Sequence, residues 1–434
     1  MPENVTQPAP TEAISRGRFP ALRSRNFRLL WLGQGISGVG SMMQVWAINW
    51  QLYALTHHAL ALGLIGLFRV VPIVLFSLIG GTVADAWDRR KVMLVTQTTL
   101  ASVAAALGLL TVTHHMTAAA IYGLTVVASA AMSFDNPARH ALIPQLVPRE
   151  DFASAIALTS IMFRTATIAG PMAAGLLIAR GGLGDTYWIN AASFLAVIAA
   201  LLAMRGVAGA PEPESAESPS TDEEKLAQVS VAALTEGLRF VWRTPILVWT
   251  LSLDFLATFF SSANALLPIF ARDILHAGAR GYGLLAAAEA VGALGAGLLL
   301  SLGRPIVRQG RTVILAVAAY GAATVVFGAS HLFWLSWLAL AAGGVADSVS
   351  TIMRLTIRQL VTPDRLRGRM TSVNMIFFMG GPQLGELEAG LAATWLGAPW
   401  SVITGGLGCL LAVALVAARA PMLRNYQAPQ GEKI

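Results

Sequence analysis

The chain has 434 residues, of which 55% are hydrophobic and only 12% are charged, and its mean hydropathy is +0.63. Soluble domains usually carry about 25% charged residues, so this chain has too few polar side chains to cover a water-exposed surface. Its net charge of +7 is not gathered into a basic stripe with interleaved aromatic residues, which argues against nucleic acid as a partner. The single cysteine, Cys409, excludes an intramolecular disulfide and a cysteine-only metal site.

Apolar segments of about 20 residues, the length that crosses a bilayer as a helix, recur along the chain. They predict an all-α integral membrane protein with twelve transmembrane helices in two pseudo-symmetric six-helix bundles. The predicted helices cover residues 27–54, 62–84, 92–112, 117–135, 154–178, 186–204, 246–271, 282–302, 312–330, 333–356, 371–394 and 399–418. The expected units are a tail (1–26), a first bundle (27–204), a connecting segment (205–245), a second bundle (246–418) and a second tail (419–434).

The distribution of basic residues predicts the orientation. Of the 30 Lys and Arg residues, 24 fall in segments on the side of the N-terminus, three in loops on the opposite side and three inside predicted helices. Cytoplasmic loops carry such an excess, so both termini are expected to be cytoplasmic. Within the connecting segment, residues 210–228 are rich in Pro, Ser and acidic residues and predict a flexible linker. Residues 231–242 have the apolar spacing of an amphipathic helix on the inner membrane surface.

Four residues of the first bundle are candidates for contact with a transported molecule. Trp46 and Trp50 lie in the first predicted helix, where they can stack on an aromatic cargo or simply pack in the core or against lipid. Arg69 and Arg164 lie in the second and fifth predicted helices, where a guanidinium suits a catecholate or carboxylate. The alternative for both arginines is a structural ion pair or a side chain that extends to the membrane interface.

The connection after the second predicted helix reads Gly-Gly-Thr-Val-Ala-Asp-Ala-Trp-Asp-Arg-Arg-Lys over residues 80–91. Gly81 permits close helix packing, and a carboxylate at Asp85 followed by Arg89 and Arg90 can bridge to a neighbouring helix end and its dipole. This pattern is typical of a charged latch that holds one conformation and releases in another. The alternative is a cluster of positive charge that only fixes topology.

Three further pairs are interpreted as gating or conformational elements. Asp135 and Arg139 are four residues apart at the end of the fourth predicted helix, and Asp347 and Arg354 are seven apart in the tenth, so each pair shares a helix face. In the fifth predicted helix, Gly170 and Pro171 lie among small residues that permit tight packing, and the proline predicts a bend. Ordinary packing explains the fifth helix equally well. Its small residues are Ala157, Ala166, Ala174 and Gly175.

Four acids in the second predicted bundle are candidates for proton coupling. They are Asp254, Glu289, Glu386 and Glu388, all in apolar segments. A charge at a helix centre costs roughly 2.5–3.5 kcal/mol on insertion scales, so each acid needs a partner, a cavity or a proton. The alternative for each is a carboxyl group satisfied by a neighbouring helix. Glu386 and Glu388 are two residues apart and point in different directions.

The two halves of the chain contain a repeat. Gln-Leu-Val-Pro-Arg-Glu-Asp at 145–151 recurs as Gln-Leu-Val-Thr-Pro-Asp-Arg at 359–365, an offset of 214 residues. A Gly-Pro pair follows each copy, at 170–171 and at 381–382, an offset of 211. Two related bundles can rock about a central site, which is a transporter architecture.

These motifs resemble those of the major facilitator superfamily. The Gly81, Asp85, Arg89 and Arg90 pattern is similar to its loop motif between helices two and three, with a departure at Ala86. The fifth helix is similar to its exporter motif, with alanine at three glycine positions. Segments 137–148, 263–268, 281–285 and 359–369 resemble the enterobactin-exporter-like branch. The resemblance implies a monomeric exporter of siderophores or drugs in the bacterial inner membrane, driven by protons, without a cofactor or bound metal.

The sequence therefore predicts a secondary transporter that exports an amphipathic small molecule by proton antiport and alternating access. Its cargo site is expected between the two bundles. Uptake by the same fold and a non-transporting membrane receptor or scaffold remain alternatives. An enzyme is disfavoured because no serine–histidine or histidine–acid constellation is evident, and an ATP-driven pump because no Gly-rich phosphate loop occurs.

Overall fold

The computed structural model describes residues 19–206, 236, 238–303, 306–363 and 366–427, and for residues 77–86 and parts of 367–379 it describes the backbone alone. Within these ranges the chain forms twelve long helices and no β-strand. They are α1 (Arg25–Thr56), α2 (Ala59–Ala86), α3 (Arg89–Val112), α4 (Ala118–Leu146), α5 (Phe152–Arg180), α6 (Leu183–Ala203), α7 (Pro245–Phe260), α8 (Gly278–Leu302), α9 (Gln309–Ala329), α10 (Phe333–Val361), α11 (Arg367–Leu396) and α12 (Ala398–Arg419).

The expected all-α fold of twelve helices is confirmed. Among the described residues, ten helices are long and apolar enough to cross a membrane. Helix α1 is not among these ten because Gln34, Gln44, Asn49 and Gln51 lower its mean hydropathy. Part of α11 lies outside the described side chains. The predicted amphipathic helix is described only at residue 236 and residues 238–243, which are helical, and the tail 1–18 and residues 428–434 lie outside the described ranges.

Two helices extend further than the sequence analysis placed them. Helix α4 runs to Leu146 instead of 135 and contains Pro137 and Pro144. A proline inside a helix costs about 3 kcal/mol, and the burial of Ala138, Leu142 and Leu146 on one face opposes this cost. Helix α10 runs to Val361 instead of 356, and Ile357 and Arg358 beyond the predicted end are buried.

The predicted helix 246–271 is broken. Helix α7 ends at Phe260, and Ser261 and Ser262 separate it from the short helical segments Ala263–Leu266, Leu267–Ile269 and Phe270–Ile274. Pro268 lies in the first turn of the short segment Leu267–Ile269, where its missing N–H leaves no helical hydrogen bond unmade. An interrupted helix inside a membrane bundle is tolerated only where protein surrounds it, and Ser261 is 2% exposed.

Helices α1–α6 and α7–α12 form two bundles whose packing follows the sequence repeat. On α5, a Cβ added at Gly170 would contact Met42 and Met43 of α1. On α11, a Cβ added at the repeat-related Gly381 would contact Thr258 of α7. The first and fifth helices of each bundle therefore approach each other through the same glycine, which is what a pseudo-symmetric pair of bundles requires.

The bundles meet on one side of the molecule. We call the side that carries residues 19–24 and 420–427 the terminus side, and the opposite side, where α1 ends and α2 begins, the far side. On the far side, one hydrophobic core of the second bundle includes Trp46, Trp50 and Ala59 of the first, and a core of the first includes Ile269 of the second. On the terminus side, each core draws its residues from one bundle only.

Two seams of close helix contact join the bundles on the far side. In the α5–α8 seam, a Cβ added at Gly175 would lie 2.8 Å from the Cα of Gly283. In the α2–α11 seam, a Cβ added at Gly63 would lie 2.8 Å from the carbonyl oxygen of Glu386 and 3.0 Å from the Cα of Gly390. Only glycine permits this approach, and the structure is therefore closed at the far side.

Candidate functional site

An aromatic cluster fills the far-side junction of the bundles. The ring centroids of Trp46 and Trp50 lie 5.8 Å and 5.1 Å from that of Tyr282 on α8. The Tyr282 hydroxyl donates to the carbonyl oxygen of Trp46 at 2.9 Å, and Tyr282 is fully buried. Nearby, the Tyr53 hydroxyl donates to the carboxylate of Asp273. In this conformation both tryptophans pack against the opposite bundle.

A polar group lies in the α2–α11 seam. The Glu386 carboxylate approaches Gly66 so closely that an added Cβ there would lie 3.0 Å from Glu386 Oε2, and this oxygen is buried without a hydrogen-bond partner. Gln383, one turn earlier on α11, also has a buried and unpartnered oxygen. Arg69, one turn along α2 from Gly66, lies within Coulombic range of Glu386 but donates to Asn49 at 3.4 Å.

A buried ion cluster links α7 to α10 inside the second bundle. The two carboxylate oxygens of Asp254 accept from Arg354 Nη2 at 2.8 Å and from Arg358 Nη2 at 3.1 Å. Arg358 also donates to the Thr250 carbonyl at 2.8 Å and to the side chain of Asn374 on α11. Two guanidinium groups therefore hold one carboxylate, which keeps the cluster together in a low dielectric.

The same cluster includes the predicted pair on α10. Asp347 Oδ1 lies 3.7 Å from Arg354 Nη2, and the Asp347 side chain is 43% exposed whereas that of Arg354 is 1% exposed. Arg354 Nε and Nη1 are buried without partners. Sequence analysis missed Arg358 because it placed this residue in a loop after the tenth helix. The spacing of four residues from Arg354 was the signal that both share one helix face.

The other predicted coupling and cargo residues are not drawn into this cluster. Glu289 on α8 accepts from Asn264 Nδ2 at 2.9 Å. Glu388 lies on α11 and is partly buried, with no hydrogen bond to any residue of the described region. Arg164 is exposed on α5, away from the aromatic cluster and from the seams.

The expected pair of Asp135 and Arg139 is wrong. Asp135 is buried and accepts from Thr96 at 2.8 Å and from Gln97 at 2.9 Å, both on α3. Arg139 instead donates to Gln34 on α1 at 3.1 Å and to Asn136. A helix spacing of four allows a pair but does not enforce it, and neutral donors on α3 satisfy the carboxylate at a lower cost in side-chain order.

The predicted latch is described in part. Asp88 caps α3 by accepting from the Arg90 amide at 2.9 Å. The Arg89 and Arg90 guanidinium groups donate to carbonyls near the ends of α4 and α6, those of Ala141 at 3.5 Å and Leu202 at 3.2 Å. These contacts suit the negative end of a helix dipole. The side chain of Asp85 and the surroundings of Gly81 lie outside the described region, so the latch stays a prediction.

The gating pair on α5 serves two contacts. Gly170 faces α1 within its own bundle, whereas the carbonyl oxygen of Pro171 would lie 2.6 Å from a Cβ added at Gly283 of α8. The pair therefore connects the inner packing of the first bundle to the α5–α8 seam. In the part of the chain that the structure describes, no group of three or more His, Cys, Asp or Glu residues is arranged to hold a metal ion.

Two six-helix bundles, joined at one side and carrying charged residues along and behind their junction, define a membrane transporter of the major facilitator type. Residues 16–430 match the family of transmembrane secretion effectors, and the chain belongs to this family. It is 26% identical over 407 residues to the enterobactin exporter EntS of Citrobacter koseri, which covers 93% of this chain and 94% of that protein. It is 27% identical over 405 residues to EntS of Escherichia coli strain K12, covering 92% and 93%.

Solved structures share the fold. A POT family transporter in complex with 5-aminolevulinic acid matches with a TM-score of 0.73 at 11% identity, covering 94% of this chain and 98% of that chain. A bacterial homologue of the human lysosomal transporter Spinster, inward-facing and unoccupied, matches with a TM-score of 0.69 at 16% identity, covering 95% and 100%. The resemblance to the enterobactin-exporter-like branch is thus confirmed. The chain is a multi-pass membrane transporter and not an enzyme.

Proposed function

We propose that this transporter exports an amphipathic small molecule of the siderophore class across the bacterial inner membrane in exchange for protons. The support for the cargo class is that relatives named as enterobactin exporters match more than nine-tenths of the chain. We place the terminus side in the cytoplasm because it carries most of the basic residues. The structure, closed at the far side, then corresponds to a transporter that receives cargo from the cytoplasm.

The observation that carries the coupling is the unpartnered Glu386 oxygen in the α2–α11 seam. An ionised carboxylate enclosed between helices with one oxygen lacking a hydrogen bond is costly even near Arg69, so we expect the far side to close readily only when Glu386 is neutralised. A proton achieves this, and so does a hydroxyl or ammonium group of a cargo that donates to the carboxylate. Either occupant permits closure of the far side and an empty site opposes it. An exchanger requires this behaviour, because it changes conformation only when it carries one of its two substrates.

The remaining acids fit this role less well. Asp254 is already neutralised by Arg354 and Arg358, so the second bundle can move without a proton at that position. Glu388 lies two residues from Glu386 on a different face of α11. The aromatic cluster of Trp46, Trp50 and Tyr282 borders the same junction and offers ring faces to an aromatic cargo once the bundles separate.

Arginine residues supply the complementary recognition. Arg69 shares the seam with Glu386 and, among the residues that the structure describes, hydrogen-bonds an amide oxygen alone, at 3.4 Å, so its guanidinium is available to an anionic oxygen of the cargo. A catecholate or carboxylate group would take a bidentate bond there. The cargo site proposed is therefore the junction of Arg69, Glu386 and the aromatic cluster, reached from the terminus side by alternating access of a monomer.

The test uses purified protein in liposomes that contain a pH-sensitive dye, screened with catecholate siderophores, macrolides and cationic dyes. We expect one class to cause cargo-dependent proton movement. The Glu386→Gln variant should carry cargo down its own gradient without moving protons, because a neutral side chain lets the empty transporter close. Glu388→Gln is the matched control on the same helix and should remain coupled. Normal proton movement by Glu386→Gln would contradict the coupling role.

A further inference from the structure

The second bundle contains a small internal cavity that the transport mechanism does not use. Its volume is about 10 Å³, the space of one water-sized particle. It is enclosed by the break after α7 and by α8, α9 and α10. The polar part of its lining is formed by Ser261, Glu289, Tyr320 and Thr324, and Phe327 and Leu340 belong to the apolar part.

The polar groups around this cavity present oxygen lone pairs and few hydrogens. The Tyr320 hydroxyl donates its hydrogen to the Ser261 carbonyl at 3.3 Å, and the Thr324 hydroxyl donates to the Tyr320 carbonyl at 3.0 Å. Both hydrogens are therefore directed away, and the hydroxyl oxygens keep free lone pairs. The Ser261 hydroxyl is buried without a hydrogen-bond partner, its residue being 2% exposed, and the neighbouring Cys409 thiol is a weak substitute.

An acidic side chain lies at the cavity. Asn264 donates to one carboxyl oxygen of Glu289 at 2.9 Å, which leaves the other oxygen for an occupant. Helix α7 ends at Phe260 directly beside the cavity, and the C-terminal end of a helix carries a partial negative charge. The break in α7 thus directs a dipole of the same sign toward the carboxylate.

The cation of this region does not line the cavity. Arg354 Nη2 is bound by Asp254 and lies 3.7 Å from Asp347, and its Nε and Nη1 are buried without partners. Tyr320 from α9 is the other titratable group of the lining, and Asp347 from α10 acts on Glu289 from outside it. An acidic side chain, a helix C-terminus and free hydroxyl oxygens, with no cation among the lining residues, form a site with room for one small particle.

We propose that this cavity is a binding site for a single Na⁺ ion, held by the Glu289 carboxylate and by the hydroxyl oxygens of Ser261 and Thr324. Hard cations prefer oxygen ligands of this kind. In other membrane transporters, interrupted helices use the C-terminal ends of their half-helices to hold coupling cations. The bound ion neutralises Glu289 inside the bundle and ties the break in α7 to α8 and α9.

The site is tested on purified full-length protein without cargo, so that failure of the transport assay leaves the result unaffected. Thermal unfolding is measured in NaCl, KCl and choline chloride at equal ionic strength and fixed pH. We expect Na⁺ alone to raise the Tm in a saturable way, because a ligand that binds only the folded state stabilises it. Equilibrium binding of radioactive Na⁺ provides the direct measurement.

Three variants identify the site. Glu289→Gln should lose the Na⁺-specific rise in Tm and the bound radioactive Na⁺. Ser261→Ala should raise the half-saturating Na⁺ concentration on the order of tenfold, because the ion loses one of its oxygen ligands. Ser350→Ala is the matched control, because Ser350 is also a buried, unpartnered hydroxyl of this bundle but does not line the cavity, and it should behave as the parent protein.

Acidification distinguishes Na⁺ from a proton. If both compete for Glu289, lowering the pH should raise the half-saturating Na⁺ concentration. If the Tm of the parent protein changes with pH but is the same in NaCl, KCl and choline chloride, the cavity holds a proton or a water molecule and the proposal is overturned. Retention of Na⁺ binding by Glu289→Gln would place the ion elsewhere and overturn it as well. If Glu289→Gln fails to fold, Ser261→Ala and the direct binding measurement decide.

Discussion

Helices α1 and α7 stand at equivalent places in the two bundles, yet they contact the fourth helix of their bundle through different side chains. In the first bundle the contact is Gln34 with Arg139, a neutral amide with one cation. In the second it is Asp254 with Arg354 and Arg358, a carboxylate with two cations. The scaffold is repeated but the chemistry is not, which indicates that charge-dependent steps belong to the second bundle.

The two seams on the far side differ in the same way. Gly175 of α5 and Glu386 of α11 are separated by 211 residues, the offset of the Gly-Pro repeat. Gly175 faces Gly283, so the α5–α8 seam is closed by backbone alone. Glu386 faces Gly66, so the α2–α11 seam encloses a carboxylate. The first seam sets how closely the bundles approach, and the second sets under which conditions they do so.

The largest expected effect follows from removing the Asp254 carboxylate of the second bundle. Asp254→Asn leaves two buried guanidinium groups short of charge, and breaking a buried ion pair on one side costs about 3–5 kcal/mol. Gln34→Ala in the first bundle removes one hydrogen bond to a partly buried arginine, which costs about 1–3 kcal/mol. We expect thermal unfolding of the purified variants to show a clearly larger fall in Tm for Asp254→Asn.

Equal losses in the two variants would contradict the view that the second bundle depends on its charges. The control is the triple substitution Asp254→Leu, Arg354→Met and Arg358→Met, since replacing the carboxylate and both of its cations by apolar groups leaves no buried charge of the cluster unpaired and is often close to neutral.

The second largest expected effect concerns the α5–α8 seam. Gly283→Leu places a side chain where the Cβ alone would lie 2.6 Å from the Pro171 carbonyl oxygen, and overpacking of this kind costs about 1–3 kcal/mol. The closed far side should lose population, and the terminus side should close. Spin labels at Trp87→Cys and Leu302→Cys, both exposed ends of second helices on the terminus side, would report a shorter distance.

Gly295→Leu is the matched control for Gly283→Leu in the α5–α8 seam, because a Cβ added at Gly295 on the same helix would have no atom within 4 Å. The labels require a background without the native cysteine, and Cys409→Ala supplies it because Cys409 is the single cysteine of the chain. An unchanged distance in Gly283→Leu would show that the bundles do not depend on this seam to stay closed on the far side.

Much of this architecture was predictable from the sequence because its causes are local. Twenty apolar residues predict a membrane helix wherever they occur, and the repeat predicts two bundles. The contacts between distant helices were not predictable in the same way. Asp254 and Arg354 are 100 residues apart on helices that are not consecutive, and no periodicity relates their faces.

The errors have physical reasons as well. The fourth helix was predicted to end at 135 but continues through Pro137 and Pro144 to Leu146, because Ala138, Leu142 and Leu146 bury one face of its last turns. Asp135 and Arg139 have the spacing of a pair, but each finds a partner on another helix. By contrast, the equivalence of Gly175 and Glu386 was available from the offset of 211, although the structure was needed to show that both positions lie in seams between the bundles.

The smallest expected effect comes from a substitution in the α2–α11 seam, which encloses Glu386. Glu386→Gln keeps the shape of the side chain and removes its charge, so the closed far side should be populated at alkaline pH as it is in the parent protein at acidic pH. A shift of about tenfold in population corresponds to 1.4 kcal/mol and is visible in the distance between the labels at Trp87→Cys and Leu302→Cys.

Because the α5–α8 seam is formed by Gly175 and Gly283, it has no group that titrates. Asp273, which accepts from Tyr53 across the junction, is the carboxylate that could imitate the effect. Asp273→Asn should therefore keep the pH dependence that Glu386→Gln loses, and the reverse result would move the proton-sensitive contact from the seam to the Tyr53–Asp273 bond.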